Sequence, residues 1–193
     1  MNAKKKIAAV ALAACLAATA IVGGTLAYFT DTDKADNVFT VGNVDIELTE
    51  PGWEATGESE AQDMYPGEAV AKDPTVTNKG ANPAFVRVKV EWPDAPEMSY
   101  RTGYVDGKLG DNWVKGEDGY FYYSKILNPT EKTDALFDQV VLSADTTNGY
   151  DGNYDIVVTA EAVQSQGARP SYTDVENMTV EEIAAWFATC MGE

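Results

Sequence analysis

The chain has 193 residues, of which 45% are hydrophobic and 10% aromatic. This length and composition predict one folded domain with a single core and are unlike those of a disordered chain. The formal net charge of -17 at pH 7 argues against binding to nucleic acid and against attachment to anionic lipid, because such a surface repels phosphate.

The first 27 residues have the three-part organisation of a signal peptide. Residues 4–6 are lysines, and residues 7–22 form a nearly unbroken apolar run that ends before two glycines. This pattern predicts export, with signal peptidase cutting between Ala27 and Tyr28. Without these lysines the chain keeps 11 basic side chains against 31 acidic ones, and we expect no stable membrane partner once the leader is cut.

The same leader is compatible with other fates. Residues 12–15 match a lipobox, in which Cys15 would carry the lipid, although the apolar run continues past Cys15 where a lipoprotein starts a polar tether. Residues 18–20 form a second small-residue cleavage site. Residues 7–29 are long enough to span a bilayer if the leader is retained as an anchor.

After the leader, hydrophobic and polar residues alternate with the period of two that is typical of half-buried strands. The clearest example is residues 85–92, where the valines at positions 86, 88 and 90 alternate with charged side chains. The same pattern predicts strands over residues 41–49, 72–78, 113–115, 120–126, 137–143 and 154–163.

Glycine-containing turn sequences separate these predicted strands, for example at residues 66–67, 106–107 and 118–119. Many short strands with such turns predict an all-β protein, an antiparallel sandwich or barrel. No alternation of strands and helices appears, which argues against a Rossmann-like core. We predict a β-sandwich domain over residues 28–170, with residues 50–63 as an acidic loop.

A C-terminal helical segment is predicted over residues 171–193. Thr179 and Glu182 form a capping box, and apolar residues then recur at helical spacing: Ile183, Trp186, Phe187 and Met191. This apolar stripe predicts a helix that docks on the sandwich, with binding to a partner as the alternative. Cys190 is interpreted as a small buried residue of this helix.

The sequence contains no histidine, so it offers neither an H-E-x-x-H zinc motif nor a Ser-His triad. We therefore predict a protein that is not an enzyme and that carries no cofactor and no catalytic metal. A weak calcium hypothesis rests on the oxygen donors between residues 145 and 155: Asp145, Asn148, Asp151, Asn153 and Asp155. Two glycine turns explain the same residues.

Residues 23–31 read GGTLAYFTD, and residues 37–46 read NVFTVGNVDI. These two runs resemble the beginning of proteins of the camelysin/TasA family, and weaker similarity extends to about residue 164. The resemblance implies a secreted protein with a jelly-roll-like sandwich, whose leader is removed by a dedicated signal peptidase. It also implies a surface or biofilm-matrix role, with self-association into filaments or association with other matrix proteins.

In some members of that family, the mature N-terminal segment of one subunit completes the sheet of the next. Mapped onto this sequence, the donor strand is residues 28–41, and its anchors are Phe29, Val38, Phe39 and Val41. In the alternative, the segment folds back as the first strand of its own sandwich, because one amphipathic strand has the same pattern in either chain. The family also carries a metallopeptidase label, so a secreted metallopeptidase is the alternative function.

Overall fold

Antiparallel strands make up most of the computed structural model, which describes residues 44–94, 96–147, 154–166 and 178–192. These residues lie in one compact unit. The strands are β1 (Ile46–Thr49), β2 (Ala69–Ala71), β3 (Thr75–Asn78), β4 (Ala84–Glu91), β5 (Met98–Thr102), β6 (Val105–Asp106), β7 (Trp113–Lys115), β8 (Phe121–Tyr123), β9 (Gln139–Leu142) and β10 (Val157–Gln164).

The strands form three antiparallel sheets that share one core. Two sheets have four strands, in the orders β10-β4-β8-β7 and β2-β9-β5-β6, and β1 pairs with β3 in the third. Buried residues of all three sheets form a common hydrophobic cluster, for example Val88 of β4, Val140 of β9 and Ile46 of β1. The predicted all-β, sandwich-like class with a short C-terminal helix is confirmed, while the jelly-roll connectivity stays a prediction.

The longest ladder joins β4 to β10 over eight residue pairs. As the alternation predicts, Val86 and Val88 face the core. The sequence also predicts that the other face of β4, which carries the charged side chains, is exposed to solvent. This is wrong for part of the strand, because Arg87 on that face is only 1% exposed. Phe187 of the C-terminal helix lies over Arg87, so both faces of the sheet are buried at this position, whereas Glu91 at the end of the same strand is exposed.

That helix, α1 (Val180–Met191), begins as predicted. Thr179 Oγ1 accepts a hydrogen bond from the Glu182 amide, and the Thr179 amide donates to the Glu182 carboxylate. Ile183, Trp186 and Phe187 are buried against the sheet, which confirms the docked helix. The interpretation of Cys190 as a buried residue was wrong, because its side chain is exposed in the last turn of α1.

Residues 50–63 are not a loop throughout, which corrects the sequence prediction. A π-helical turn, Trp53–Gly57, continues into a short α-helix, Glu58–Glu60. Its first amides are satisfied by Asp73, whose Oδ1 accepts from the Gly52 amide at 2.7 Å and the Trp53 amide at 3.3 Å. The prediction failed because this cap lies about twenty residues away in the sequence and local patterns do not reveal it.

Three strands escaped the sequence analysis, namely β2, β5 and β6. Each is short, and β5 (Met98–Thr102) carries partly exposed side chains without clear alternation. β9 runs between β2 and β5 and pairs with both, and β6 pairs with β5. Neighbouring strands, and not their own hydrophobic pattern, make these residues extended. No helix among the described residues is long and apolar enough to cross a membrane.

Candidate functional site

Most of the residues that the sequence predicts for function lie outside the described part of the chain. These are the cleavage residues Ala27 and Tyr28, the anchors Phe29, Val38, Phe39 and Val41, and the calcium candidates Asn148, Asp151 and Asn153. Their roles stay predictions. Of the calcium candidates that are described, Asp145 and Asp155 both have exposed side chains.

The residues that the structure describes do not fit a zinc centre of the common kind. Among them, no three His, Cys, Asp or Glu side chains converge on one point, and the full sequence contains no histidine. Structural and catalytic zinc sites normally use imidazole or several thiolates. The side chains in this part of the chain therefore do not supply the set of ligands that the zinc ion of a zinc peptidase needs.

An open cavity of about 470 Å³ lies between residues 123–127 and 130–132. Two lysines, Lys125 and Lys132, line it together with Glu131. Glu131 already accepts hydrogen bonds from the Asn128 backbone and side-chain amides at 2.9 and 3.1 Å. The cavity thus has one carboxylate, which is engaged in a turn, and no arrangement of general acid and base.

The strongest electrostatic cluster lies under α1. Arg87 Nε donates to Glu161 Oε2 at 2.6 Å, and both side chains are largely buried. The guanidinium also lies over the Tyr120 ring at 3.9 Å and the Phe187 ring at 4.7 Å. Aromatic faces and a carboxylate together replace the water that this cation loses on burial.

Tyr122 extends this cluster towards the turn before β8. Its hydroxyl donates to Asp118 Oδ2 at 2.6 Å, and its ring packs edge-on against Phe187. Burial, followed by the hydrogen bond to Asp118, raises the pKa of Tyr122 to about 12. The hydroxyl is therefore protonated at neutral pH, and the contact of the Tyr122 ring with Phe187 helps to hold α1 on the sheet.

A second buried ion pair fixes the 53–60 helical segment. Lys72 Nζ binds Glu50 Oε2 at 2.8 Å and lies 4.6 Å from the centre of the Trp53 ring. Sequence reasoning missed both pairs, since the partners are 22 and 74 residues apart. One indication of the Arg87 pair was present in the sequence, a charged residue inside an alternating strand. That pattern is usual for solvent-facing positions, so it did not predict a buried ion pair.

Two strands of interest lie at the edges of their sheets. β10, with eight residues, is the last strand of its sheet, and β1 is the outer strand of its two-stranded sheet. Within the described ranges each pairs on one side only. Edge strands present backbone donors and acceptors that can bind an added strand.

Residues 2–90 match the family described as camelysin metallo-endopeptidase, which confirms the resemblance noted from the sequence. No curated protein matches the chain. The match corrects the prediction that the protein is not an enzyme, because the description of the family names a peptidase. That prediction rested on the missing histidine, which limits the type of metal ligand and does not decide whether a chain has activity.

Proposed function

Because residues 2–90 match the camelysin family, we propose that this camelysin-like protein is exported and serves as a surface or matrix subunit. Its sandwich would assemble with further copies, or with other matrix proteins, through the mature N-terminal segment, residues 28–41. The observation that carries the proposal is the position of the eight-residue strand β10, which pairs on one side only with the strands of the described part of the chain.

The physical basis is strand addition. An extended segment from one molecule satisfies backbone groups at the edge of the next, and its alternate side chains set the register. Such a contact is head-to-tail and does not close on itself, so it produces filaments. In an extended strand Phe29, Phe39 and Val41 share one face. Val38 lies on the opposite face, so three of the four anchors can enter the same side of an accepting sheet.

Assembly is tested by comparing purified protein that starts at Tyr28 with protein that starts at Gly42. We expect filaments in electron micrographs for the longer form and soluble monomers for the shorter one, with the same circular dichroism spectrum. A matched pair of variants separates side-chain docking from chain length. Phe29→Ser with Phe39→Ser should abolish filaments, whereas Thr30→Ser with Thr40→Ser should leave them intact. Normal filaments from the Gly42 form would contradict the proposal.

Export is tested independently by N-terminal sequencing of the protein recovered from culture medium and cell surface. A start at Tyr28 supports cleavage of the predicted leader. A lipidated start at Cys15, or an intact leader, would show that the chain stays attached to the membrane and would contradict release.

The second candidate function is a metallo-endopeptidase, and the specific observation in its favour is the description of the matching family. We derive no catalytic step for it, because the described residues do not fit a zinc site. Digestion of casein by the purified mature protein, sensitive to a chelator and restored by metal, would support this function. Absence of cleavage with every divalent metal tried would contradict it.

A further inference from the structure

Two lysines without a charged partner line the open cavity between residues 123–127 and 130–132. Most of the other described basic side chains are in ion pairs or lie over aromatic rings: Lys72, Lys79, Arg87, Lys89, Arg101 and Lys115. Within the described part of the chain Lys108, Lys125 and Lys132 have neither, and the last two lie at this cavity. In a chain with 31 acidic and 14 basic side chains, lysines find carboxylates easily, so two unpaired lysines at one cavity are unexpected.

The carboxylates near the cavity do not neutralise these lysines. Glu131 lines the cavity, but its Oε2 accepts hydrogen bonds from the Asn128 backbone and side-chain amides at 2.9 and 3.1 Å. Asp134 accepts from the Asn112 amide at 2.7 Å and the Tyr123 hydroxyl at 3.1 Å. The lining residues therefore carry two positive charges and one negative charge, on a chain whose net charge is -17.

The two stretches that carry the lysines are fixed to one buried side chain. Asn78 is 0% exposed. Its backbone amide donates to the Glu131 carbonyl at 2.9 Å, and its carbonyl accepts from the Thr130 amide at 2.8 Å. Its side-chain amide donates to the Leu127 carbonyl at 2.8 Å. Because the walls of the cavity are held in place, a ligand does not have to order them on binding.

Thr130 adds a polar group in a strained position. Its φ of 70° lies in the left-handed region, which a β-branched residue rarely adopts. Such strain persists only where the surroundings impose it, and it is concentrated at ligand sites. The Thr130 side chain is exposed and lines the cavity, so its hydroxyl can donate to a bound acceptor.

The remaining lining side chains form an apolar floor. Tyr123 and Leu127 are only 6% and 2% exposed, and Ile126 is partly buried. The cavity volume of about 470 Å³ lies within the range of about 300–1,000 Å³ that is usual for small-molecule sites. A matching ligand therefore has an anionic end for the lysines and an apolar part for the floor.

We propose that this cavity binds the carboxylate of a small organic acid, with Lys125 and Lys132 beside the carboxylate and the floor beside the apolar part. The charge of the whole molecule favours a small ligand, because a polyanion would extend over the acidic surface and be repelled. This inference goes beyond the assembly proposed above and does not depend on it.

The site is tested by titrating the purified ¹⁵N-labelled protein with sodium benzoate at constant ionic strength. We expect saturable shifts of the Leu127, Thr130 and Lys132 amide signals with a Kd of about 1 mM, which is usual for a ligand of this size. Benzamide, which has the same ring and no charge, should bind at least about three-fold more weakly.

Charge variants identify the lysines that act. Lys125→Gln and Lys132→Gln should each raise the Kd for benzoate about three- to five-fold. The matched control is Lys108→Gln, which makes the same charge change at an exposed lysine outside the cavity and should leave the Kd unchanged. Glu131→Gln keeps an oxygen for Asn128 and removes the negative charge, so it should lower the Kd about two-fold.

Four results would overturn the inference. The first is the absence of saturable shifts up to about 20 mM benzoate, well above the expected Kd. Equal affinity for benzamide would show that the carboxylate is not recognised. An equal loss of affinity in Lys108→Gln would show that only the net charge matters. Polygalacturonate that binds more tightly per carboxylate than benzoate would show that the ligand is a polymer and not a small acid.

Discussion

Removal of Glu161 should strongly destabilise the fold, because it leaves the buried Arg87 cation without its carboxylate. The two side chains are joined at 2.6 Å with relative exposures of 2% and 13%. Breaking a buried pair by deleting one partner costs about 3–5 kcal/mol. The rings of Tyr120 and Phe187 beside the guanidinium compensate only part of this, so we expect about 3 kcal/mol for Glu161→Ala.

The measurement is urea unfolding of the mature protein, followed by circular dichroism. With a slope of about 2 kcal/mol per molar urea, the midpoint should fall by roughly 1.5 M. The matched control is Glu47→Ala, which breaks the exposed pair with Lys79 at 2.8 Å and should cost less than about 1 kcal/mol. Equal effects of the two substitutions would refute the argument that burial makes the Arg87 pair critical.

Three further predictions concern packing, capping and ionisation. Gly57→Ala should destabilise the protein by about 1–3 kcal/mol in thermal unfolding, because a Cβ would lie 2.1 Å from the Ala71 carbonyl oxygen; an unchanged melting temperature would contradict this close approach. Thr179→Ala should cost about 1 kcal/mol through loss of the cap of α1, whereas Thr189→Ala, on the same helix, should cost less; the reverse order would count against the capping role. The pKa of Tyr122 is raised from 10.0 to about 12, so its contribution is complete below pH 10 and is lost as pH rises through 12. Melting temperatures between pH 9 and 12 should therefore fall more steeply for the wild type than for Tyr122→Phe, and parallel curves would argue against this linkage.

Local sequence was sufficient wherever structure depends on neighbours along the chain. The alternation in residues 85–92 corresponds to β4, and residues 113–115 correspond to β7. The capping box at Thr179 correctly predicted the start of α1. A strand alternates with period two and a cap acts over three residues, so both patterns can be recognised without knowledge of the fold.

The candidate site was predictable only in part. The donor role of residues 28–41 was predicted from the resemblance to a family and stays a prediction, whereas the edge position of β10 had no signal in the sequence. Hydrophobic alternation in β10 is the same whether the strand is central or at an edge. The order of strands in the sheet, which depends on contacts between residues distant in sequence, decides which of the two it is.

The sequence by itself determined the strand-rich class and the C-terminal helix, because both depend on short-range periodicity or composition. The leader, which the same kind of pattern indicates, stays a prediction. Only the tertiary structure decided that Arg87 is buried, that Asp73 caps a helix twenty residues earlier, and that β10 is the last of the described strands in its sheet. The reason is physical. Three features depend on which segments contact each other in the folded chain: burial, capping by a distant residue, and the position of a strand at a sheet edge. The same local sequence pattern is compatible with several different sets of contacts.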